Sequence, residues 1–141
     1  MEFPELFTQL LIDLQSVFRK NNKDLPISLS QAVLLLSIPR DGIIMSELAI
    51  RVGVDNSTLT RLIHTMDENS LIQKKRNKND RRSTLIYLSK IGEKNVKLIE
   101  ENIDQFTNKI LQNIPNTDQV RLKNDLNSVH WAITRFKLSD N

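Results

Sequence analysis

The sequence predicts a mainly α-helical fold with a small β-hairpin, and three observations carry that expectation. Apolar residues recur at three-and-four spacing near both ends of the chain, from Phe3 to Phe18 and from Val96 to Phe136, which places them on stripes of long helices. Between these ends, Met45 to Leu88 reads as a short helix, a turn at Gly53, a hydroxyl-rich second helix and a strongly basic hairpin, in unbroken succession. After Leu71 the helical period gives way to β-rich segments. That order predicts a winged helix-turn-helix flanked by a helical dimerisation region.

At 141 residues and 39% hydrophobic content the chain can bury one ordinary core. We therefore expect a single domain over 1–141. Within it, 28–92 forms the winged core, with the helix-turn-helix at about 46–69 and the wing at about 72–88. Residues 1–22 and 93–141 supply the dimerisation helices.

In order along the chain, the stripe of Phe3, Leu6, Phe7, Leu10, Leu11, Leu14, Val17 and Phe18 predicts a first helix over Pro4 to Lys20, broken by Asn21, Asn22, Asp24 and Pro26. Ser30 is the expected N-cap of a second, almost wholly apolar helix, Gln31 to Ile38, destined for the interior and ended by Pro39 and Gly42. Ser46 is placed to cap a third helix over Glu47 to Val52, which Gly53 closes in a left-handed conformation. Asp55 caps the fourth helix. There Leu59, Leu62, Ile63 and Met66 face the core, and Asn56, Ser57, Thr60, Arg61, His64 and Thr65 face outward. Ile72 to Lys75 and Thr84 to Leu88 pair as a hairpin around a polar loop, with Leu85 or Ile86 turned inward and Tyr87 packed in the hairpin. Ser89 starts a long fifth helix. Val96, Ile99, Ile103, Phe106 and Ile110, then Leu122, Leu126, Val129, Ile133 and Phe136 beyond the break at Pro115, are spaced as seams for another helix. These stripes exceed what one small subunit covers, which predicts a homodimer, and His130 and Trp131 are expected in its packing.

Net charge is only +3, but it is unevenly placed. Nine bases stand against two acids between Ile72 and Lys97, a surplus of seven, so the rest of the chain is net −4. A positive region on a mildly acidic body is the footprint of a nucleic-acid reader. Cysteine is absent, which excludes disulfides, thiol zinc sites and thiol switches. The N-terminal residues lack the pattern of a signal peptide, and no apolar run of membrane-spanning length occurs, so a cytoplasmic protein is expected. No Ser/His/Asp set, phosphate loop or useful pair of carboxylates can be assembled, so neither an enzyme nor a cofactor or metal is expected.

The second helix of a helix-turn-helix enters the major groove of duplex DNA. Arg61 is the candidate for a bidentate contact to guanine. Ser57, Thr58 and Thr60 suit phosphates or thymine methyls, and Asn56 with the Asp55 cap lies where free N–H groups favour a phosphate. Thr65 shares that face, and His64 is either a DNA contact or a plain surface histidine. A competing reading pairs Arg61 with Asp67 or Glu68. In the hairpin, Lys78 and Arg81 should reach phosphates, joined by Lys74, Lys75 and Arg76 if their strand faces the backbone; Ser46, Ser89 and Lys90 are further phosphate candidates.

The segment from Met45 to Lys94 resembles the DNA-binding core of the MarR family of bacterial transcription regulators. The likeness rests on Ser46-Glu-Leu-Ala, the Thr58-Leu-Thr-Arg-Leu run, Leu71-Ile72, Asn79-Asp-Arg-Arg-Ser and Leu88-Ser-Lys-Ile-Gly. The resemblance implies a triangular homodimer on a palindromic operator, usually repressing, and in many relatives released by a small phenolic or aromatic anion bound between the dimerisation and DNA-binding parts. Arg82 resembles the wing arginine that enters the minor groove, with Asp80 expected to hold its guanidinium and the tight loop in shape. From another class, a winged helix that binds protein or RNA without operator preference remains the alternative.

Overall fold

The computed structural model describes residues 1–140. In chain order the elements are α1 (Phe3–Asn21), α2 (Leu29–Ser37), β1 (Ile43–Ile44), α3 (Met45–Val52), α4 (Asn56–Glu68), β2 (Ile72–Arg76), β3 (Thr84–Leu88), α5 (Lys90–Leu111) and α6 (Asn116–Ser139). Chain contacts divide them into two compact units, residues 1–103 and 104–141.

The first unit holds the core. Ala32, Leu34 and Leu35 of α2, Leu48 and Ala49 of α3, Leu59, Ile63 and Met66 of α4, and Ile86 of β3 are buried together. Ile99 of α5 joins them, with Val96 and Ile103 packed alongside. The first half of α5 is thus a core helix, and the expected seam is divided: Val96, Ile99 and Ile103 are spent on the winged core. In α1, by contrast, no residue is buried, and Phe3, Leu6, Phe7, Leu10, Leu11 and Leu14 remain exposed.

Two helix starts differ from expectation. Helix α2 begins two residues before Gln31, because Ser28 and Gln31 form the reciprocal capping box, Ser28 Oγ accepting the Gln31 N–H at 3.1 Å; Ser30 lies inside the helix. Nor is α2 apolar all round toward the interior, since Val33 and Leu36 are exposed. Helix α3 starts at Met45 without a side-chain cap, so Ser46 sits within its first turn. Gly53 does close α3, at φ 72°, where a Cβ would be strained.

The hairpin is the larger part of a three-stranded antiparallel sheet, ordered β1-β3-β2. Strand β1 pairs Ile43 with Ile86 and was not expected, because two residues are too short to show a period. The hairpin register pairs Ile72 with Leu88 and Arg76 with Thr84, and Ile86 is its inward residue. Where α5 begins, Ser89 Oγ donates to the Ser70 carbonyl at 2.6 Å and accepts the Gly92 N–H at 2.9 Å, so Ser89 caps the helix. Its N–H donates to the Leu71 carbonyl at 3.1 Å. Deeper in this unit Asn22 is buried, its side-chain oxygen accepting from Asn102 Nδ2 at 3.0 Å, which ties the end of α1 to α5.

In the second unit, the end of α5 and α6 are joined by a turn that Gln119 secures by donating to the carbonyls of Leu111 and Ile114, each at 3.1 Å. Leu126, Val129, Trp131, Ile133 and Phe136 of α6 are exposed.

Candidate nucleic-acid interface

The reading helix α4 is set by its N-cap. Asp55 Oδ1 accepts the Thr58 N–H at 2.6 Å and the Ser57 hydroxyl at 2.8 Å. The Thr58 N–H first, then the Ser57 and Thr58 hydroxyls and, least, the Arg61 charge together lower the Asp55 pKa from 3.8 to about 2. A fixed carboxylate therefore occupies this end of α4. It stands beside Asn56, where a phosphate seat is expected, and already engages the Thr58 N–H.

With Leu59, Ile63 and Met66 inward, Asn56, Ser57, Thr60, Arg61, His64 and Thr65 are all exposed, while Thr58 is half-buried. Arg61 makes no ion pair among the described residues. Its expected competitors are engaged elsewhere: Asp67 with Lys74 at 3.1 Å, and Glu68 with His64 at 3.3 Å. Thr60 Oγ1 donates to the Asn56 carbonyl at 2.7 Å, and Thr65 Oγ1 to that of Arg61 at 3.2 Å.

The Lys74–Asp67 pair links β2 to the end of α4, and the Leu71 N–H donates to the Met66 carbonyl at 2.9 Å, so helix and wing are joined within one turn of chain. Lys75 lies over the Tyr87 ring, 4.7 Å from its centre. Both lysines, candidates for phosphate, are thereby occupied in holding the hairpin.

At the wing tip the polar residues fold the loop and the basic ones are left outside. Asp80 Oδ1 accepts the Arg82 backbone N–H at 3.0 Å, an Asx turn, and not the Arg82 guanidinium as expected. A carboxylate two residues before a main-chain N–H reaches it with less chain ordering than it needs for a long side chain. Ser83 donates from N and Oγ to the Asp80 carbonyl at 3.1 and 3.0 Å, and Asn77 Nδ2 donates to Ser83 Oγ at 3.1 Å. Arg76, Lys78, Arg81 and Arg82 are exposed, and Arg76, Asn77, Lys78 and Arg81 line a shallow hollow of about 320 Å³.

Of the residues named from sequence, the first unit brings Arg61, Thr60, His64 and Thr65 onto one face of α4, with Arg76, Lys78, Arg81 and Arg82 in the adjoining wing. Asp80 shapes the loop from within. Ser46 is exposed on α3, Lys90 is exposed at the start of α5, and Ser89 is a cap. Sequence reasoning missed Asn77 and Ser83 as loop-forming residues; the Asn-x-x-Asp-x-x-Ser spacing was the available signal.

Among the described residues no helix is long and apolar enough to cross a membrane. No curated protein matches the chain. The MarR family model matches residues 27–84. Among solved structures, the transcriptional regulator SlyA is similar with a TM-score of 0.82 at 18% identity, covering 100% of both chains. A SlyA-like transcription regulator from Listeria monocytogenes gives 0.81 at 24% identity, covering 98% of this chain and 93% of its own. MepR of S. aureus, solved as a DNA complex, gives 0.77 at 16%, covering 94% and 99%. At these identities the structures establish a shared fold. The MarR family model is thus matched across the helix-turn-helix and most of the wing, and the fold of these solved regulators runs the length of the chain.

Proposed function

We propose that the chain is a sequence-specific double-stranded DNA-binding transcription regulator, acting as a homodimeric repressor on a palindromic operator. The carrying observation is an unpaired, exposed Arg61 on α4 beside a wing whose arginines and lysine are turned outward. The helix is suited to the major groove and Arg82 to an adjacent minor groove, where narrow A·T-rich tracts concentrate negative potential. Two solved relatives are described as transcription regulators and a third was solved on DNA, which supports the reading. The uncovered apolar stripes of α1 and α6, each on its own unit, support association with a second copy.

A small aromatic anion is the proposed releasing ligand. Phe18, Leu25, Ile27, Leu29 and Ala32 wall a cavity of about 320 Å³ at the junction of α1 and α2, with Arg19 and Lys23 at its rim. At the start of α5, Leu88, Glu93, Val96 and Lys97 line a separate hollow.

Selection from random-sequence duplexes by the purified protein tests the function. We expect an inverted repeat with half-site centres about one helical turn apart, and affinity that falls steeply with salt. Equal affinity for all duplexes overturns the reading in favour of a protein- or RNA-binding module.

A further inference from the structure

Five hydroxyl or amide side chains lie on the outer face of α4 or at its start, and the hydrogen bonds inside the helix divide them by what they can still offer a base. The Ser57 proton is given to Asp55 at 2.8 Å, the Thr60 proton to the Asn56 carbonyl at 2.7 Å and the Thr65 proton to the Arg61 carbonyl at 3.2 Å. Phosphate oxygens, guanine O6 and N7, and thymine O4 are all acceptors, so these hydroxyls can serve them only by giving up a bond they already make. A threonine has a second branch, the Cγ2 methyl, which carries no such commitment. Thr60 and Thr65 are exposed, and they flank Arg61, one residue before it and one turn after it. Ser57 has no methyl to contribute, and Thr58 is half-buried.

We propose that Thr60 and Thr65 are specificity-determining residues that read thymine through methyl contact, so that each operator half-site carries thymines beside the guanine taken by Arg61. This rests on the reading of α4 as a major-groove helix. The thymine C5 methyl is the one apolar group on the major-groove edges, and a hydroxyl-bonded threonine presents the matching surface without a polar proton left over.

The test uses the operator that the full-length protein itself selects from random DNA. Thr60→Val and Thr65→Val keep the methyl and delete the hydroxyl; Thr60→Ser and Thr65→Ser do the reverse. Valine and threonine have similar helix propensity, and unfolding midpoints verify that all four variants fold. The valine variants should bind within about twofold of the parent, and each serine variant should bind the inverted repeat about fifteenfold more weakly, about fourfold for the methyl-sized group lost in each half-site. Replacing the contacted thymine by uracil should weaken the parent by the same factor and leave the matching serine variant unchanged. Valine variants that lose binding while serine variants keep it, or a uracil operator bound as well as the parent operator, overturn the proposal and return the hydroxyls to the reading role. Selection of no repeat at all is a different failure, because it removes the DNA-reading assignment before these variants are compared.

Discussion

Replacing Gly92 by alanine should loosen the joint between the wing and α5. A methyl on Gly92 would overlap the Leu71 carbonyl oxygen and stand 3.1 Å from its carbon and 3.4 Å from Leu88 Cδ2. Backbone cannot yield as a flexible side-chain tip does. The Leu71 oxygen accepts the Ser89 N–H, and the neighbouring Ser70 oxygen accepts the Ser89 hydroxyl, so retreat of either partner breaks bonds that fix the start of α5. Loss of two such bonds costs about 2 kcal/mol, and residual overpacking adds about 1–3 kcal/mol. Alanine returns about 1 kcal/mol through its better helix propensity. The net expectation is a loss of about 2–4 kcal/mol. Urea unfolding at one fixed protein concentration measures it, since the stability of an associating chain depends on concentration. With an unchanged slope of about 2 kcal/mol per molar, the midpoint should fall by about 1–2 M. Lys90→Ala, on the exposed side of the same turn, should leave the midpoint almost unmoved. A Gly92→Ala protein as stable as the parent, or more stable, would refute the claim that α5 rests directly on the Leu71 peptide.

Arg61→Ala should flatten base preference at one operator position, by about 1–3 kcal/mol of discrimination, whereas Arg82→Ala should weaken binding mainly where the flanks are A·T-rich; equal losses on every sequence from both changes would show that the two arginines do not divide the work. Asp55 has a folded pKa depressed to about 2, so its contribution to stability is complete above pH 4 and disappears as pH falls toward 2. Asp55→Asn should therefore flatten the acid limb of a plot of unfolding midpoint against pH at low salt, and an identical acid limb in both proteins counts against the cap. Asn102→Ala should cost about 1–3 kcal/mol, because it strands the buried Asn22 oxygen; a double-mutant cycle that also replaces Asn22 should recover part of that loss, and strict additivity of the two changes argues against their coupling.

The parts legible in the sequence are those governed by neighbours a few residues apart. The core face of α4, the left-handed Gly53, the Asp55 cap and the basic wing each follow from local spacing or local backbone chemistry, and each stands where the sequence places it. The Leu88-Ser-Lys-Ile-Gly run was legible as a signature but not as a mechanism: only the folded chain shows Ser89 capping α5 and Gly92 lying against Leu71.

What tertiary structure decided is which partner wins when several are in reach. Lys74, Lys75 and Arg76 are alike in sequence, yet pairing with β3 sets Lys74 against Asp67 and Lys75 over Tyr87 and leaves Arg76 for the wing. Strand β1 exists because β3 offers it an edge, and the seam of α5 is divided because Ile99 reaches a core built mostly from residues far earlier in the chain. Periodicity marks a residue as apolar or polar, but its partner is set by elements distant in sequence, and that choice is made only when they pack.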